Sequence, residues 1–447
     1  MQNRMRIIAA TLSALALASP APAQGSVQEV LTWYEVMGAR GESPAPQGSV
    51  EWRTDLAGAL TEAAETGRPL FVTLRCLPCK QCSSFDAAVL EGAGELDVLL
   101  RQFITVRLTD AAQIDLRLLP AEGYQDLDLS WWGYILAPDA ALYAIFGGRD
   151  DVSDETRISV PALARTLERV LRHHYDPRRA KWGVDAPAPA LVGAARTPAS
   201  LPGFDSWKKQ YPAAAAGECL HCHQVAEVLR QPALDAGRFD KERDLEPWPL
   251  PENIGLELDR DHGLLVTAVL PGSPAARAGL EPGDELCAAG GVRLFGQTDL
   301  RGVLHRTPKG AKSIELYWRT GAALAAFTSQ ELALPPGWRA TDLGWRMSIS
   351  QGNVGAHPGF WPLAGPRAGL DTMSLRPWFG PDPSGPAYAA GLRGHHEITA
   401  VGGERPKLIA RPFLVWFRKR YEPGDTVTLT VRERGATKAI TYRLDPR

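Results

Sequence analysis

The chain has 447 residues and a formal net charge of −2, with 45% hydrophobic and 22% charged residues. This length can hold three or four domains, and this composition is typical of a globular protein rather than of a disordered or membrane-embedded one. The nearly neutral net charge gives no indication of a nucleic-acid partner, and we expect none.

The first 23 residues have the pattern of a secretory signal peptide. Arg4 and Arg6 precede an apolar run at residues 7–18, and Ala21-Pro22-Ala23 follows as a small-x-small cleavage site. The alternative is an uncleaved anchor, but about 12 apolar residues are too few to span a bilayer. We therefore expect secretion across the inner membrane into the periplasm, where disulfides persist. After cleavage, the mature chain should not span a membrane.

Residues 24–50 lack periodicity and predict a linker, whereas residues 51–175 have the pattern of an α/β domain. A helix that begins near Asp55 and ends at Gly67 precedes a buried strand at residues 70–74. A second helix, a strand, a hairpin and a final amphipathic helix then follow. These four elements are predicted to end near residues 101, 108, 146 and 172.

Three cysteines, Cys76, Cys79 and Cys82, lie between the strand at 70–74 and the next predicted helix. At such a turn, unpaired backbone amides and the positive end of the helix dipole favour the thiolate, which is the form that attacks disulfides. The pattern therefore predicts thiol chemistry at this turn.

This order of elements and the cysteine turn resemble the thioredoxin-like family, especially its periplasmic branch with the pattern Cys-x-x-aromatic-acid. That pattern is matched by residues 82–86, Cys-Ser-Ser-Phe-Asp. The resemblance implies Cys79 as the attacking thiol and Cys82 as the resolving thiol, with Cys76 as a third catalytic candidate. A register that pairs Cys76 with Cys79 remains as an alternative.

The chain departs from the family where a cis-proline would face the disulfide, because residues 130–133 read Ser-Trp-Trp-Gly. Two further interpretations therefore stay open beside a general disulfide oxidoreductase. One is a permanent structural disulfide, and the other is a thioredoxin-like domain that serves only as a platform.

Residues 176–249 are rich in Pro, Ala, Gly and charge and predict a second linker. Within it, Cys219, Cys222 and His223 form the Cys-x-x-Cys-His pattern that attaches a c-type haem, with the histidine as the metal ligand. We therefore expect one covalent haem c here. A zinc site, a second dithiol and a structural disulfide remain as alternatives, and apart from the haem no cofactor is expected.

From residue 250 onward the pattern is mainly β. Residues 272–275, 278–280 and 282–284 read Gly-Ser-Pro-Ala, Ala-Gly-Leu and Pro-Gly-Asp, a spacing that resembles bacterial PDZ domains. The resemblance implies that a loop at Ile254, Gly255 and Leu256 binds the carboxylate of an extended peptide, which adds to the sheet as a strand.

A second copy is indicated by Gly391-Leu392, which repeats Gly279-Leu280 at an offset of 112 residues. We expect PDZ-like domains at residues 250–334 and 335–447. By the same resemblance, the carboxylate-binding loop of the second copy would be Leu343, Gly344 and Trp345.

The predicted fold is thus multidomain: a thioredoxin-like α/β domain, a linker and two mainly β, PDZ-like domains. The leading functional hypothesis is an exported thiol–disulfide redox protein whose PDZ domains recruit protein C-terminal tails or extended peptides. The alternative is a PDZ-based scaffold with a catalytically idle thioredoxin-like domain.

Overall fold

A computed structural model describes residues 27–44, 49–74, 90, 96–149, 159–211, 220–245, 248–320, 326–381 and 383–446. The predicted signal peptide, Cys76, Cys79, Cys82 and Cys219 lie outside these ranges. Within them, no helix combines the length and the apolar character needed to cross a bilayer.

The first domain is built on a five-stranded sheet with the order β1-β3-β2-β4-β5. The strands β1, β2 and β3 are mutually parallel, while β4 runs antiparallel to both β2 and β5. The elements of this domain are β1 (Trp52–Arg53), α2 (Leu56–Thr66), β2 (Leu70–Leu74), α3 (Asp97–Leu100), β3 (Ile104–Leu108), β4 (Ser130–Leu136), β5 (Leu142–Arg149) and α4 (Val160–His174).

Local signals explain the predicted first helix. The side chain of Asp55 accepts hydrogen bonds from the amides of Ala57 and Gly58 at 3.0 and 2.9 Å, which caps the amino terminus of α2. Gly67 ends the helix with φ of 67°, a conformation that costs glycine little. The predicted helix and the strand at 70–74 are both confirmed.

Each face of this sheet supports its own core because side chains alternate along the strands. One core contains Val72, Leu74, Trp132 and Tyr134 and is covered by α2. The opposite core contains Trp131 and is covered by α3 and α4. Two adjacent tryptophans therefore face opposite sides of the sheet.

Residues 176–249, which the composition predicts as a linker, contain packed helices in their described part. This part contains α5 (Arg179–Trp182), α6 (Phe204–Gln210), α7 (Cys222–Asp235) and α8 (Lys241–Asp244). Trp207 of α6 and Val228 of α7 are fully buried against the α2 face of the thioredoxin-like core. Burial of these side chains stabilises a packed structure that Pro and Ala content alone did not indicate.

The described part of residues 24–50 is also not a free linker. It forms α1 (Val27–Met37), whose Val36 and Met37 are buried with Cys287 and Tyr317 of the first β-rich unit. The ring of Trp33 stacks on Tyr317 with centroids 5.3 Å apart.

The first β-rich unit contains a small edge sheet and a four-stranded sheet of order β11-β10-β8-β9. Its elements are β6 (Leu256–Leu258), β7 (Val266–Val269), α9 (Pro274–Ala278), β8 (Glu285–Ala289), β9 (Val292–Arg293), α10 (Gln297–Arg306), β10 (Ser313–Thr320) and β11 (Ala326–Ala333). Ser273 caps α9 through its side chain and Gly279 ends it, as expected for the Gly-Ser-Pro-Ala and Ala-Gly-Leu patterns.

The second β-rich unit has a five-stranded sheet of order β12-β13-β14-β15-β16 and nearly the same sequence of elements. It is preceded by a short helix, α11 (Met347–Ser350). Its elements are β12 (Trp361–Ala364), β13 (Leu375–Trp378), α12 (Pro386–Ala389), β14 (Glu397–Val401), α13 (Ala410–Arg420), β15 (Thr426–Glu433) and β16 (Ala436–Arg443).

The predicted loop of the second unit does not lead into an edge strand in the structure. Leu343, Gly344 and Trp345 are followed by α11 rather than by a strand, and Trp345 packs against the thioredoxin-like core. The place before the edge strand β12 is taken by residues 358–360, Pro-Gly-Phe. There, Gly359 has φ of 83°, close to the 87° of Gly255. The Leu-Gly-Trp run at residues 343–345 resembles the Ile-Gly-Leu loop only in its local pattern, because its tryptophan packs on another domain.

Candidate functional site

The predicted cysteine turn leaves the thioredoxin-like sheet at the end of β2. Leu74, the last residue of that strand, pairs with Leu108 of β3 and with Trp132 of β4. Cys76, Cys79 and Cys82 follow within eight residues along the chain. The backbone that leads into them is therefore anchored on both sides at the carboxyl edge of the parallel strands.

Trp131 and Trp132 occupy the start of β4 beside Leu74. Each is only 1% exposed, and Trp132 donates from its indole nitrogen to the carbonyl of Leu129 at 3.1 Å. Trp131 has φ of 55°, an unusual conformation for a large side chain. No peptide bond among the described residues is cis. The two rings are therefore buried in the cores on either face of the sheet rather than exposed at its edge.

A glycine permits the close approach of the neighbouring strand at this point. Gly147 of β5 pairs with Trp132, and an added Cβ atom there would lie 2.4 Å from the carbonyl oxygen of Trp131. Any larger residue would push β5 away from the strained tryptophan.

The Cys-x-x-Cys-His segment lies against the same domain. Cys222 begins α7, is half-buried and packs on the α2 face of the sheet. The short helix Ala111–Gln113, which follows β3, contacts α7. Because β2 and β3 are parallel, both end at the edge from which the cysteine turn leaves. The structure thus places the helix that begins at Cys222 beside the segment that follows β3.

The phenol of Tyr134 is enclosed between this segment and the sheet. Burial raises the pKa of Tyr134 well above its usual value, and the nearby Cys222 thiol adds to the effect. A thiolate and a phenolate would repel each other at this distance, so the neutral phenol is favoured.

His223 is oriented by a buried carboxylate that the sequence did not reveal. Its Nδ1 lies 3.1 Å from Oε1 of Glu227, one helical turn later, while Oε2 of Glu227 accepts from the indole of Trp207 at 2.8 Å. With Glu227 ionised, Nδ1 carries the hydrogen, because a carboxylate only accepts. The lone pair of neutral His223 then lies on Nε2, where a metal would bind.

A second histidine borders this arrangement. The rings of His221 and His223 stack with centroids 5.6 Å apart and an angle of 14°. Burial lowers the pKa of His221, and the charge of His223 lowers it further. His221 is thus biased toward the neutral imidazole, the form that ligates metals.

The segment before the second β-rich unit closes this region from the other side. The amide of Asn353 donates to the carbonyl of Glu227 at 2.9 Å and to the side chain of Gln231 at 2.7 Å. Arg230 donates to the carbonyl of Ser348 at 3.2 Å. Helix α7 therefore lies between the thioredoxin-like domain and the approach to the second unit.

A buried charge cluster joins the same parts of the chain. Arg346 contacts Asp126 at 2.8 Å and Asp128 at 3.2 Å, and Arg301 of α10 contacts Asp126 at 3.4 Å. Ser348 donates to Asp128 through both its amide and its hydroxyl, at 2.6 and 2.8 Å. These side chains are at most 6% exposed. Sequence analysis missed the cluster because its members are far apart in the chain.

The predicted peptide-binding loop of the first β-rich unit precedes an edge strand, as expected. Ile254 and Leu256 are fully buried, and Gly255 has φ of 87° with Ser273 packed directly against it. Strand β6 pairs only with β7 in the described part of the chain. Its outer edge is therefore the one available for an added strand.

Helix α10 of the first β-rich unit is held by the thioredoxin-like domain. Asp299 accepts from the amide of Ile145 on β5 at 3.2 Å, and the hydroxyl of Thr298 donates to the carbonyl of Gly147 at 3.2 Å. Helix α10 is therefore hydrogen-bonded to β5, the strand that pairs with Trp132.

Comparisons with known proteins agree with both predicted domain types. Residues 51–125 match a family model described as thioredoxin-like, and residues 265–316 match a PDZ domain model. The chain therefore contains a thioredoxin-like domain followed by a PDZ domain, and these two predictions are confirmed. No curated protein matches the chain.

Two solved structures show weak similarity. An aminopeptidase N family protein from Idiomarina loihiensis is 21% identical over 21% of this chain and 14% of its own, with a TM-score of 0.16. The HtrA-type protease AlgW with a decapeptide is 12% identical over 30% of this chain and 49% of its own, with a TM-score of 0.18. The chain spans less than half of either structure, so neither similarity carries an inference.

Proposed function

We propose that the protein is an exported thiol–disulfide redox protein that recruits its substrate through PDZ-type peptide binding. The observation that carries the proposal is the anchoring of Leu74 between β3 and β4 immediately before Cys76, Cys79 and Cys82. A thiol at this edge of a thioredoxin-like sheet is supported by rigid strands on both sides.

The proposed reaction is disulfide exchange in two steps. The Cys79 thiolate attacks one sulfur of a substrate disulfide, forming a mixed disulfide while the other substrate sulfur leaves as a thiolate. Cys82 then attacks the Cys79 sulfur and releases the second substrate thiol. Two electrons pass to the substrate, and a Cys79–Cys82 disulfide remains. The reverse sequence oxidises a substrate dithiol.

Recruitment would use the edge of β6 in the PDZ domain. A C-terminal tail or an extended peptide adds along this edge, with its carboxylate at the loop of Ile254, Gly255 and Leu256. We propose the same mode for the second β-rich unit at β12, where residues 358–360 take the place of that loop.

Serine variants of the cysteines test the redox proposal. In an insulin-reduction assay, Cys79→Ser should abolish activity, because it removes the attacking thiol. Cys82→Ser should trap a mixed disulfide, and Cys76→Ser should retain activity. If Cys76→Ser instead abolishes activity while Cys82→Ser does not, the pair is Cys76 with Cys79. A parent protein without activity but with intact peptide binding would establish the scaffold alternative.

The segment at Cys219, Cys222 and His223 supports a second candidate, a covalent haem c. The contact from His223 Nδ1 to Glu227 favours it, because the oriented ligand leaves Nε2 for the iron, and such carboxylate partners are usual at metal-bound histidines. Cys219 and Cys222 would hold the group through thioether bonds, and it would supply one-electron transfer.

Intact mass of the exported protein tests this candidate together with export. A haem adds its own mass irreversibly, whereas a disulfide adds two alkylatable thiols only after reduction, and zinc is lost on denaturation. The same spectrum reports whether residues 1–23 have been removed. A mass equal to the unmodified chain would remove both the haem and the signal-peptide proposals.

A further inference from the structure

A large cavity lies where α1, α4 and the PDZ strand β8 meet, away from both sites described above. Its volume is about 1250 Å³, and it is lined by polar and apolar side chains in similar measure. This volume exceeds the roughly 300–1,000 Å³ of most small-molecule sites, so the space can hold more than a single ion. It exists because residues 27–44 and 176–185 fold back onto the PDZ domain.

The cavity has an excess of positive charge. Seven of its lining residues are lysine or arginine, and three are aspartate or glutamate. Each acid is matched by one cation. The three pairs are Arg178–Asp176 at 2.7 Å, Lys181–Glu35 at 2.7 Å and Arg169–Glu285 at 3.3 Å.

Four arginines remain on the wall: Arg40, Arg172, Arg293 and Arg319. Arg172 lies 3.9 Å from Glu168, but its side chain is 60% exposed, so solvent weakens that pair. Among the described residues, Arg293 and Arg319 have no carboxylate within 4 Å. The cavity wall therefore holds more guanidinium groups than its own carboxylates neutralise.

Arg293 and Arg319 point to the same place in α1. Arg293 donates to the carbonyl of Val36 at 2.8 Å, and Arg319 donates to the carbonyl of Met37. Arg293 also donates to Nδ1 of His173 at 2.6 Å, which makes that nitrogen an acceptor. The helix carbonyls carry only partial negative charge, and a neutral imidazole carries none.

Burial of these groups is costly without a counter-charge. Burial lowers the pKa of Arg293 to about 10. The adjacent Cys287 does not supply the missing charge, because burial raises the pKa of its thiol to about 12. A bound anion would neutralise the excess, and guanidinium forks suit phosphate and carboxylate oxygens.

Part of the cavity wall is apolar. Met37, Trp182, Leu264, Leu286 and Leu294 line it. All five side chains are at most 9% exposed, so they form a firm surface rather than scattered contacts. A ligand that fills the cavity therefore needs both an apolar part and negative charge.

We propose that this cavity binds an organic anion that carries a phosphate or carboxylate group on an apolar body. Arg293 and Arg319 hold the charged group, and the exposed Arg172 adds long-range attraction. The apolar side chains of the lining, among them Met37 and Trp182, hold the apolar part. This site goes beyond the proposed redox function and does not depend on it.

Calorimetric titration of the full chain at low salt tests the proposal, with octyl phosphate, inorganic phosphate and octanol as probes. Octyl phosphate should bind at least tenfold more tightly than inorganic phosphate, and octanol should not bind. Raising the salt concentration should weaken the octyl phosphate complex, because screening acts on the charged half. Equal affinity for octyl phosphate and inorganic phosphate would overturn the apolar half of the proposal, and binding of octanol would overturn the anionic half.

Variants locate the binding. The double variant Arg293→Met with Arg319→Met should lose at least tenfold in affinity for octyl phosphate, whereas Arg376→Met, an exposed arginine on β13, should not change it. Should the double variant lack the parent circular dichroism spectrum, Arg172→Gln gives the answer, since its exposed side chain is not needed for folding and its loss should weaken binding at least threefold. Unchanged affinity in the folded variants, or no octyl phosphate binding by the parent, overturns the proposal.

Discussion

Replacing Arg346 with methionine should destabilise the junction between the thioredoxin-like domain and the segment before the second β-rich unit. Arg346 faces two carboxylates, Asp126 and Asp128, in a region with almost no solvent access. Removing one partner of a buried ion pair costs about 3–5 kcal/mol, because the other charge stays buried without compensation. Asp126 keeps Arg301 and Asp128 keeps two hydrogen bonds from Ser348, so we expect the lower end, about 3 kcal/mol.

Urea unfolding followed by tryptophan fluorescence measures this loss. With an m-value of about 2 kcal/mol/M, a loss of 3 kcal/mol moves the midpoint of the affected transition by about 1.5 M. The matched control is Arg376→Met, which removes an exposed arginine and should change stability by less than about 0.5 kcal/mol. Adding Asp126→Asn and Asp128→Asn to Arg346→Met should restore part of the stability, because the uncompensated charges are then gone.

The pH dependence gives an independent check. Burial raises the pKa of Asp128, but Arg346 and the hydrogen bonds from Ser348 outweigh it and hold the pKa below its usual value. The parent therefore has this contribution above pH of about 3.9 and loses it as the pH falls through the folded-state pKa. In Arg346→Met burial dominates, the pKa of Asp128 rises, and the deficit should shrink as pH falls from 7 to 4.5. A deficit below about 1 kcal/mol at pH 7, or one that grows on acidification, would refute the reasoning.

Three further changes test other parts of the structure. Burial raises the pKa of Asp299 to about 6, above its unfolded value, so its contribution to the free energy of unfolding is present at low pH and is lost as the pH rises through 6. Asp299→Asn should therefore make the urea midpoint depend less on pH between pH 4 and pH 7. An unaltered pH profile would contradict this. Gly255→Ala should lower the free energy of unfolding by more than about 1 kcal/mol and weaken peptide binding, since the new Cβ would lie 2.1 Å from Ser273. Fluorescence anisotropy with a labelled C-terminal peptide measures the affinity. Unchanged affinity would count against the predicted loop. Glu227→Leu should cost about 1–3 kcal/mol in thermal or urea unfolding, because the indole of Trp207 loses its buried acceptor, whereas a cost near zero would show that the contact is dispensable.

The cores of the two recognised domains could be predicted because their signals are local. The cap at Asp55 and the stop at Gly67 define α2, and the turn residues around Ser273 and Gly279 define α9. Such signals depend on neighbours within a few residues, which any single sequence displays. The cysteine turn and the PDZ pattern were recognised for the same reason.

Composition did not indicate packed structure where contacts between domains stabilise it. Trp207 and Val228 lie in a stretch with a linker-like composition, yet both are fully buried against the thioredoxin-like sheet. The Leu-Gly-Trp run at residues 343–345 has the local pattern of a carboxylate-binding loop, but its Trp345 packs against the thioredoxin-like core. Sequence periodicity cannot report a partner surface that lies on another domain.

Local sequence signals are enough to indicate which domain types this protein contains and where its thiols lie along the chain, because caps, turns and strand alternation depend on near neighbours. The folded chain adds the packing of α1 and α7 against other domains, the contact of Arg346 with Asp126 across 220 residues, and a cationic cavity beside α1. Those features depend on charges and apolar surfaces that become neighbours only after the chain has folded.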